Sequence, residues 1–70
     1  MCMIIGKKSC PHSMGAVAYA RQKNMHVRFV QPDEKRLYEA KQFFNHFTVP
    51  IVIVDGKMIG GFADLKSKYR

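Results

Sequence analysis

The chain is short of acid, short of cysteine and without any long apolar run. Five Asp and Glu face twelve Lys and Arg, giving a formal charge of +7 over 70 residues. Two cysteines are too few for the disulfide framework of a small secreted domain, which usually carries four or more. They are read as thiols in a reducing compartment. The apolar opening Met1-Cys2-Met3-Ile4-Ile5 stops at Gly6-Lys7-Lys8. That is too short for a signal-peptide core or a membrane span, so a cytoplasmic location away from membranes is expected. No repeat, linker or low-complexity stretch divides the chain. A single domain over 1–70 is expected, with any disorder confined to its ends.

What is present is 47% hydrophobic, ordinary for a folded domain. The cations are dispersed, as on a solvated surface. Only Lys66-Ser67-Lys68-Tyr69-Arg70 clusters basic residues with an aromatic, so no nucleic-acid footprint is expected. A diffuse positive field suits an anionic small molecule or an acidic protein surface.

The apolar run at 2–5 predicts a brief buried strand. Cys10-Pro11 reads as a helix start, because proline's missing N–H costs nothing at the first helical position. Met14, Val17, Ala18 and Arg21 continue at helical spacing, and Asn24 is the predicted stop. His26 to Val30 predicts a second strand. Pro32-Asp33-Glu34 predicts a second helix start, with acid against the positive end of the dipole. Leu37, Ala40, Phe44 and Phe47 then recur at i, i+3, i+7 and i+10 as one apolar helix face. Ile51 to Val54 predicts a strand covered on both faces, Asp55-Gly56 a hairpin turn, and Lys57 to Ile59 the return strand. Gly60-Gly61 breaks that strand before a short helix over 62–69. The order β-α-β-α-β-β-α predicts an α/β fold, a four-stranded mixed sheet flanked by three helices. Its first two strands are parallel and its hairpin antiparallel.

Cys10 is the candidate nucleophile. At a helix N-terminus, unpaired N–H groups and the dipole favour an anion. There the pKa falls and the reactive thiolate gains population, with Lys7 and Lys8 adding positive charge. Ser13 stands three residues on, where a dithiol site would carry the second cysteine that closes a disulfide and frees the substrate. Its hydroxyl can hydrogen-bond to a thiolate but cannot resolve a mixed disulfide. Cys2 reads as a small buried hydrophobe. His12, His26 and His46 match no zinc spacing, so no metal is expected. His12 could tune the thiol or touch a substrate, while His26 and His46 read as solvated or capping.

Three separated segments, Lys7-Lys8-Ser9-Cys10-Pro11-His12-Ser13, Thr48-Val49-Pro50 and Gly60-Gly61-Phe62-Ala63-Asp64-Leu65, together resemble the glutaredoxin family. The resemblance implies a thioredoxin-like fold and glutathione-dependent exchange with disulfide or glutathionylated protein substrates, by a monomer with glutathione as cosubstrate. It also implies roles. Cys10 takes up glutathione as a mixed disulfide, and Lys7 pairs with a glutathione carboxylate. Val49-Pro50 forms a cis-proline turn that leaves the Val49 backbone free for the glutathione cysteine. Gly60 and Gly61 allow close approach, Ala63 and Asp64 receive the γ-glutamyl end, and Pro11, His12 and Thr48 complete the contacts.

The chain departs from the family at Ser13, which replaces the resolving cysteine of Cys-Pro-Tyr-Cys members. It departs again at Phe47, where a polar or basic residue is common, and at Ala63, which offers only its N–H. Two other functions belong to the same resemblance. One is a protein-specific electron donor, such as to ribonucleotide reductase, a duty that usually needs the dithiol. The other is a glutathione-ligated iron–sulfur cluster carrier, whose Cys-Gly-Phe-Ser motif differs from this one at Pro11 and His12. A redox-inactive basic interaction module would instead show an ordinary Cys10 thiol.

Overall fold

Local signals place the elements of the computed structural model, which describes residues 1–70. Strand β1 (Cys2–Ile5) leads through a loop to helix α1 (Pro11–Gln22), which has proline in its first turn. Beyond α1, Asn24 takes a left-handed φ of 59°, and the Met25 N–H returns 3.0 Å to the Ala20 carbonyl. The chain then enters β2 (Val27–Val30). Helix α2 (Glu34–Phe44) is capped by Asp33, whose carboxylate accepts the Arg36 N–H at 2.9 Å.

That helix stops one turn earlier than the apolar spacing suggested. Asn45 is left-handed at φ 51°, ψ 44°, and such a residue ends a helix by turning the backbone carbonyls away from further i→i+4 bonding. Phe47 therefore lies outside α2 and is 58% exposed, while Leu37, Ala40 and Phe44 do face the interior. The i+10 match was a coincidence of spacing across a helix end.

Strands β3 (Ile51–Val54) and β4 (Lys57–Gly60) form the hairpin, followed by α3 (Phe62–Lys68). Asp55 and Gly56 both have positive φ, 50° and 81°, as the favoured two-residue turn requires. The N-terminal ammonium sits 2.8 Å from the Asp55 carboxylate, tying the start of β1 to this turn.

The sheet order is β2-β1-β3-β4. β1 runs parallel to β2 and antiparallel to β3, and β3 runs antiparallel to β4. Val52 pairs with Gly60 while Ile53 pairs with Met58, which leaves Ile59 as an extra residue. A bulge of this kind bends and twists its strand, and here it comes just before the Gly60-Gly61 turn into α3.

The two-residue period of the strands divides the core. Cys2, Ile4, Val52 and Val54 face α1 and α3, packing on Ala16, Val17, Ala20 and Leu65. Ile5 and Ile51 face the other way onto Leu37 of α2. Small residues let α1 and α3 approach closely: a methyl group added at Gly15 would lie 2.7 Å from the Phe62 ring. The Tyr19 hydroxyl donates to the Tyr69 carbonyl at 3.0 Å and anchors the far end of α3. Cys2 is fully buried in the first of these layers, and burial pushes its thiol pKa up.

Candidate active site

The end of β1 and the start of α1 bring the sulfur chemistry together. Cys10 occupies the N-cap of α1 with extended backbone, φ −95° and ψ 117°, and its carbonyl accepts the Met14 N–H at 3.1 Å. Pro11 has no N–H, so the first donors of the helix belong to His12 and Ser13. The neutral thiol, a weak acceptor, makes no complete capping bond. Its anion is another matter. The Cys10 pKa is lowered from the ordinary thiol value, first by hydrogen bonding from the Ser13 backbone N–H and then from its hydroxyl. The His12 N–H and the Lys7 charge add to these against partial desolvation. Lys8 contributes by its backbone instead: its N–H donates to Gln31 Oε1 at 2.7 Å and holds the loop.

Ser13 is fully buried beneath the half-buried Cys10. Its Oγ accepts the Lys7 N–H at 3.2 Å, which leaves the hydroxyl proton free for the sulfur. Gly6 makes room for it, since a Cβ at Gly6 would stand 2.8 Å from the Ser13 Cβ. Ser13→Ala removes the side-chain donor and keeps the backbone one. The pH midpoint for Cys10 alkylation by iodoacetamide is expected to rise in this variant while staying below that of an ordinary thiol. An unchanged midpoint would show that the hydroxyl plays no part.

A second group of residues forms a cleft of about 320 Å³ lined by His12, Thr48, Val49, Pro50, Gly61, Phe62 and Ala63. The Val49-Pro50 bond is cis. Neither the N–H nor the carbonyl of Val49 is bonded within the chain, so both can meet a ligand. Gly60 has φ +126°, a conformation that disfavours any side chain. The Asp64 carboxylate accepts the Gly61 N–H at 2.8 Å.

Of the residues expected from sequence, the cleft thus gathers His12, Thr48, Val49, Pro50, Gly61 and Ala63. Cys10, Pro11 and Ser13 are not among its lining residues; they flank His12 in sequence at the start of α1. Lys7 lies to one side, with Nζ 2.9 Å from Glu34 Oε1. Gly60 is buried, and Asp64 serves as the cap of α3.

Three contributors were not anticipated. Phe62 lines the cleft, and its only sequence signal is an aromatic directly after the paired glycines. His46 lies with Nε2 3.3 Å from the Thr48 hydroxyl, and its ring borders Gly61. Glu34, read as a helix-start acid, has Lys7 as its partner. No group of three or more His, Cys, Asp or Glu side chains converges to hold a metal ion.

The family model of glutaredoxins matches residues 2–59, through the Cys10 and Thr48-Val49-Pro50 segments and up to the diglycine turn. The chain belongs to the glutaredoxin family. A solved structure similar to this glutaredoxin is that of reduced Escherichia coli glutaredoxin, determined by NMR. It is 24% identical with a TM-score of 0.73, covering 96% of this chain and 89% of that one. At that identity the likeness speaks for the fold, which is thioredoxin-like. No curated protein sequence matches the chain. Membership makes this glutaredoxin a thiol–disulfide oxidoreductase in general terms, from a family that uses glutathione as cosubstrate.

Proposed function

We propose that this glutaredoxin is a glutathione-dependent oxidoreductase that reduces glutathione mixed disulfides by a monothiol route through Cys10. The reading is carried by one observation: a half-exposed thiol with a lowered pKa caps a helix whose His12, two residues on, lines a cleft where the Val49 backbone is unpaired.

The steps follow from the residues. The Cys10 thiolate attacks the glutathione sulfur of a mixed disulfide. The Cys10–glutathione bond forms, the old disulfide breaks, and the substrate leaves as a thiolate that takes a proton from water. A second glutathione thiolate then attacks the adduct, leaves as glutathione disulfide and returns Cys10 to its thiolate. The net exchange turns the mixed disulfide and one free glutathione thiol into the substrate thiol and glutathione disulfide. Ser13 has no sulfur and cannot perform the second attack from within. The low Cys10 pKa serves both steps, raising the nucleophile's population in the first and making Cys10 a good leaving group in the second.

The glutathione chain is assigned to the cleft. Its cysteine bonds the free Val49 backbone as an added strand would. Its carboxylates meet Lys7 and the Ala63 N–H. His12 and Thr48 bound the intervening space, and Pro11, Gly60, Gly61 and Asp64 shape it.

Intact-mass analysis after mixing with glutathione disulfide is the test. A gain of one glutathione per chain is expected, and no gain would overturn the reading. In Ser13→Cys the new thiol stands one helical turn from Cys10, within disulfide reach. Its adduct is expected to give way to an internal disulfide, with glutathione released. A stable adduct in that variant would show that the buried position is closed to resolution.

A further inference from the structure

Three consecutive residues of the active-site loop are clipped to the connection between β2 and α2. Gly6 donates its N–H to the Val30 carbonyl at 3.0 Å, Lys8 donates its own to Gln31 Oε1 at 2.7 Å, and between them Lys7 Nζ meets Glu34 Oε1 at 2.9 Å. The third contact is the unexpected one. The chain has only five acidic residues. Asp33 caps α2, Asp55 pairs with the N-terminus and Asp64 caps α3. Glu34 pairs with Lys7, whose charge helps to lower the Cys10 thiol and whose carbonyl accepts the Cys10 N–H at 3.0 Å. Lys7 holds the Glu34 carboxyl below the usual carboxylate range, and both groups are charged at neutral pH.

A carboxylate on an incoming disulfide therefore meets a lysine that already has one. We propose that Glu34 is a specificity-determining residue. By pairing with Lys7 beside Cys10, it weakens the site's preference for anionic disulfides relative to neutral or cationic ones. This rests on Cys10 being the nucleophile of the proposed exchange. The pair is exposed, with Glu34 at 86% and Lys7 at 38%, so displacing it is cheap and the bias is modest. It acts through charge, and salt weakens it.

The test compares two probes at low ionic strength, glutathione disulfide, which is anionic, and cystamine, which is cationic. The rate at which each forms its Cys10 adduct is followed by intact mass. Glu34→Gln is expected to raise the glutathione-to-cystamine rate ratio about two- to fivefold, and Lys7→Gln to lower it. In the Lys7→Gln background, Glu34→Gln is expected to change the ratio no further. Glu39→Gln removes the same formal charge from the same helix and is expected to leave the ratio as in the wild type.

If the wild type forms both adducts and Glu34→Gln leaves the ratio unchanged, the inference is overturned and the proposed function stands. A rise that persists without Lys7, or that Glu39→Gln reproduces, overturns it equally, because the effect would then be general repulsion. Absence of any glutathione adduct in the wild type is the separate failure of the function itself. Thermal unfolding of each variant confirms that the ratios come from folded protein.

Discussion

Replacing Cys10 by alanine is expected to abolish glutathione adduct formation and to reduce glutathione-coupled disulfide reduction to the uncatalysed background. The loss is at least about a thousandfold, as for removal of other covalent nucleophiles. The reason is that no second sulfur can stand in. Cys2 is fully buried between β1 and the helices, and burial pushes its thiol up while position pulls Cys10 down. Ser13 and Ser9 offer only hydroxyls, and neither is hydrogen-bonded to a basic side chain; the Ser13 Oγ accepts the Lys7 N–H instead. The variant should fold normally. The Cys10 side chain makes no cap bond and is only partly buried, so its truncation should cost no more than about 1 kcal/mol. A glutathione adduct on Cys10→Ala, mapped to Cys2, would show that the buried thiol is reachable and that the assignment is wrong.

Leu37→Ala is expected to have the largest effect on stability. Leu37 is 1% exposed and is the one buried residue of α2, sealing the sheet face formed by Ile5 and Ile51. Truncating a buried leucine costs about 2–5 kcal/mol, more where the cavity cannot collapse. A chain of 70 residues is stable by about 4–10 kcal/mol in all at typical values per residue. One side chain therefore carries a large share of the total, and Tm should fall by about 10–30 °C. Urea unfolding measures the loss directly. Tyr38→Ala, on the exposed side of the same helix at 58%, should cost less than about 1 kcal/mol and serves as the comparison. Equal losses in the two variants would mean that α2 does not dock through Leu37. The function is linked to this packing, because α2 begins with Glu34. A loosened helix should release Lys7 along with it.

The features legible in the sequence were those written in a few consecutive residues. Pro11 and Asp33 start helices because one lacks a donor that position would waste and the other caps an orphan N–H. Asp55-Gly56 turns the hairpin because both positions must take positive φ. Ile51 to Val54 reads as covered on both faces because no residue in it is polar. Phe47 was misplaced for the converse reason. Periodicity continued through Asn45, and spacing does not reveal that a single left-handed residue ends a helix. The bulge at Ile59 also escaped, since it is a mismatch between two paired strands and has no signature in either alone.

The active site divides along the same line. The position of Cys10 at a helix start and the hydroxyl at Ser13 in place of a second thiol follow from the order of residues, because helix caps and i, i+3 neighbours are local. Only the tertiary structure decided that His12, Thr48 to Pro50 and Gly61 to Ala63 wall one cleft, since their meeting depends on the sheet order β2-β1-β3-β4. The partner of Lys7 was decided in the same way. Glu34 is 27 residues away in sequence, and parallel pairing of β1 with β2 brings their C-terminal ends together. An ion pair needs proximity in space, and proximity across such a distance is set by strand pairing and not by any local pattern.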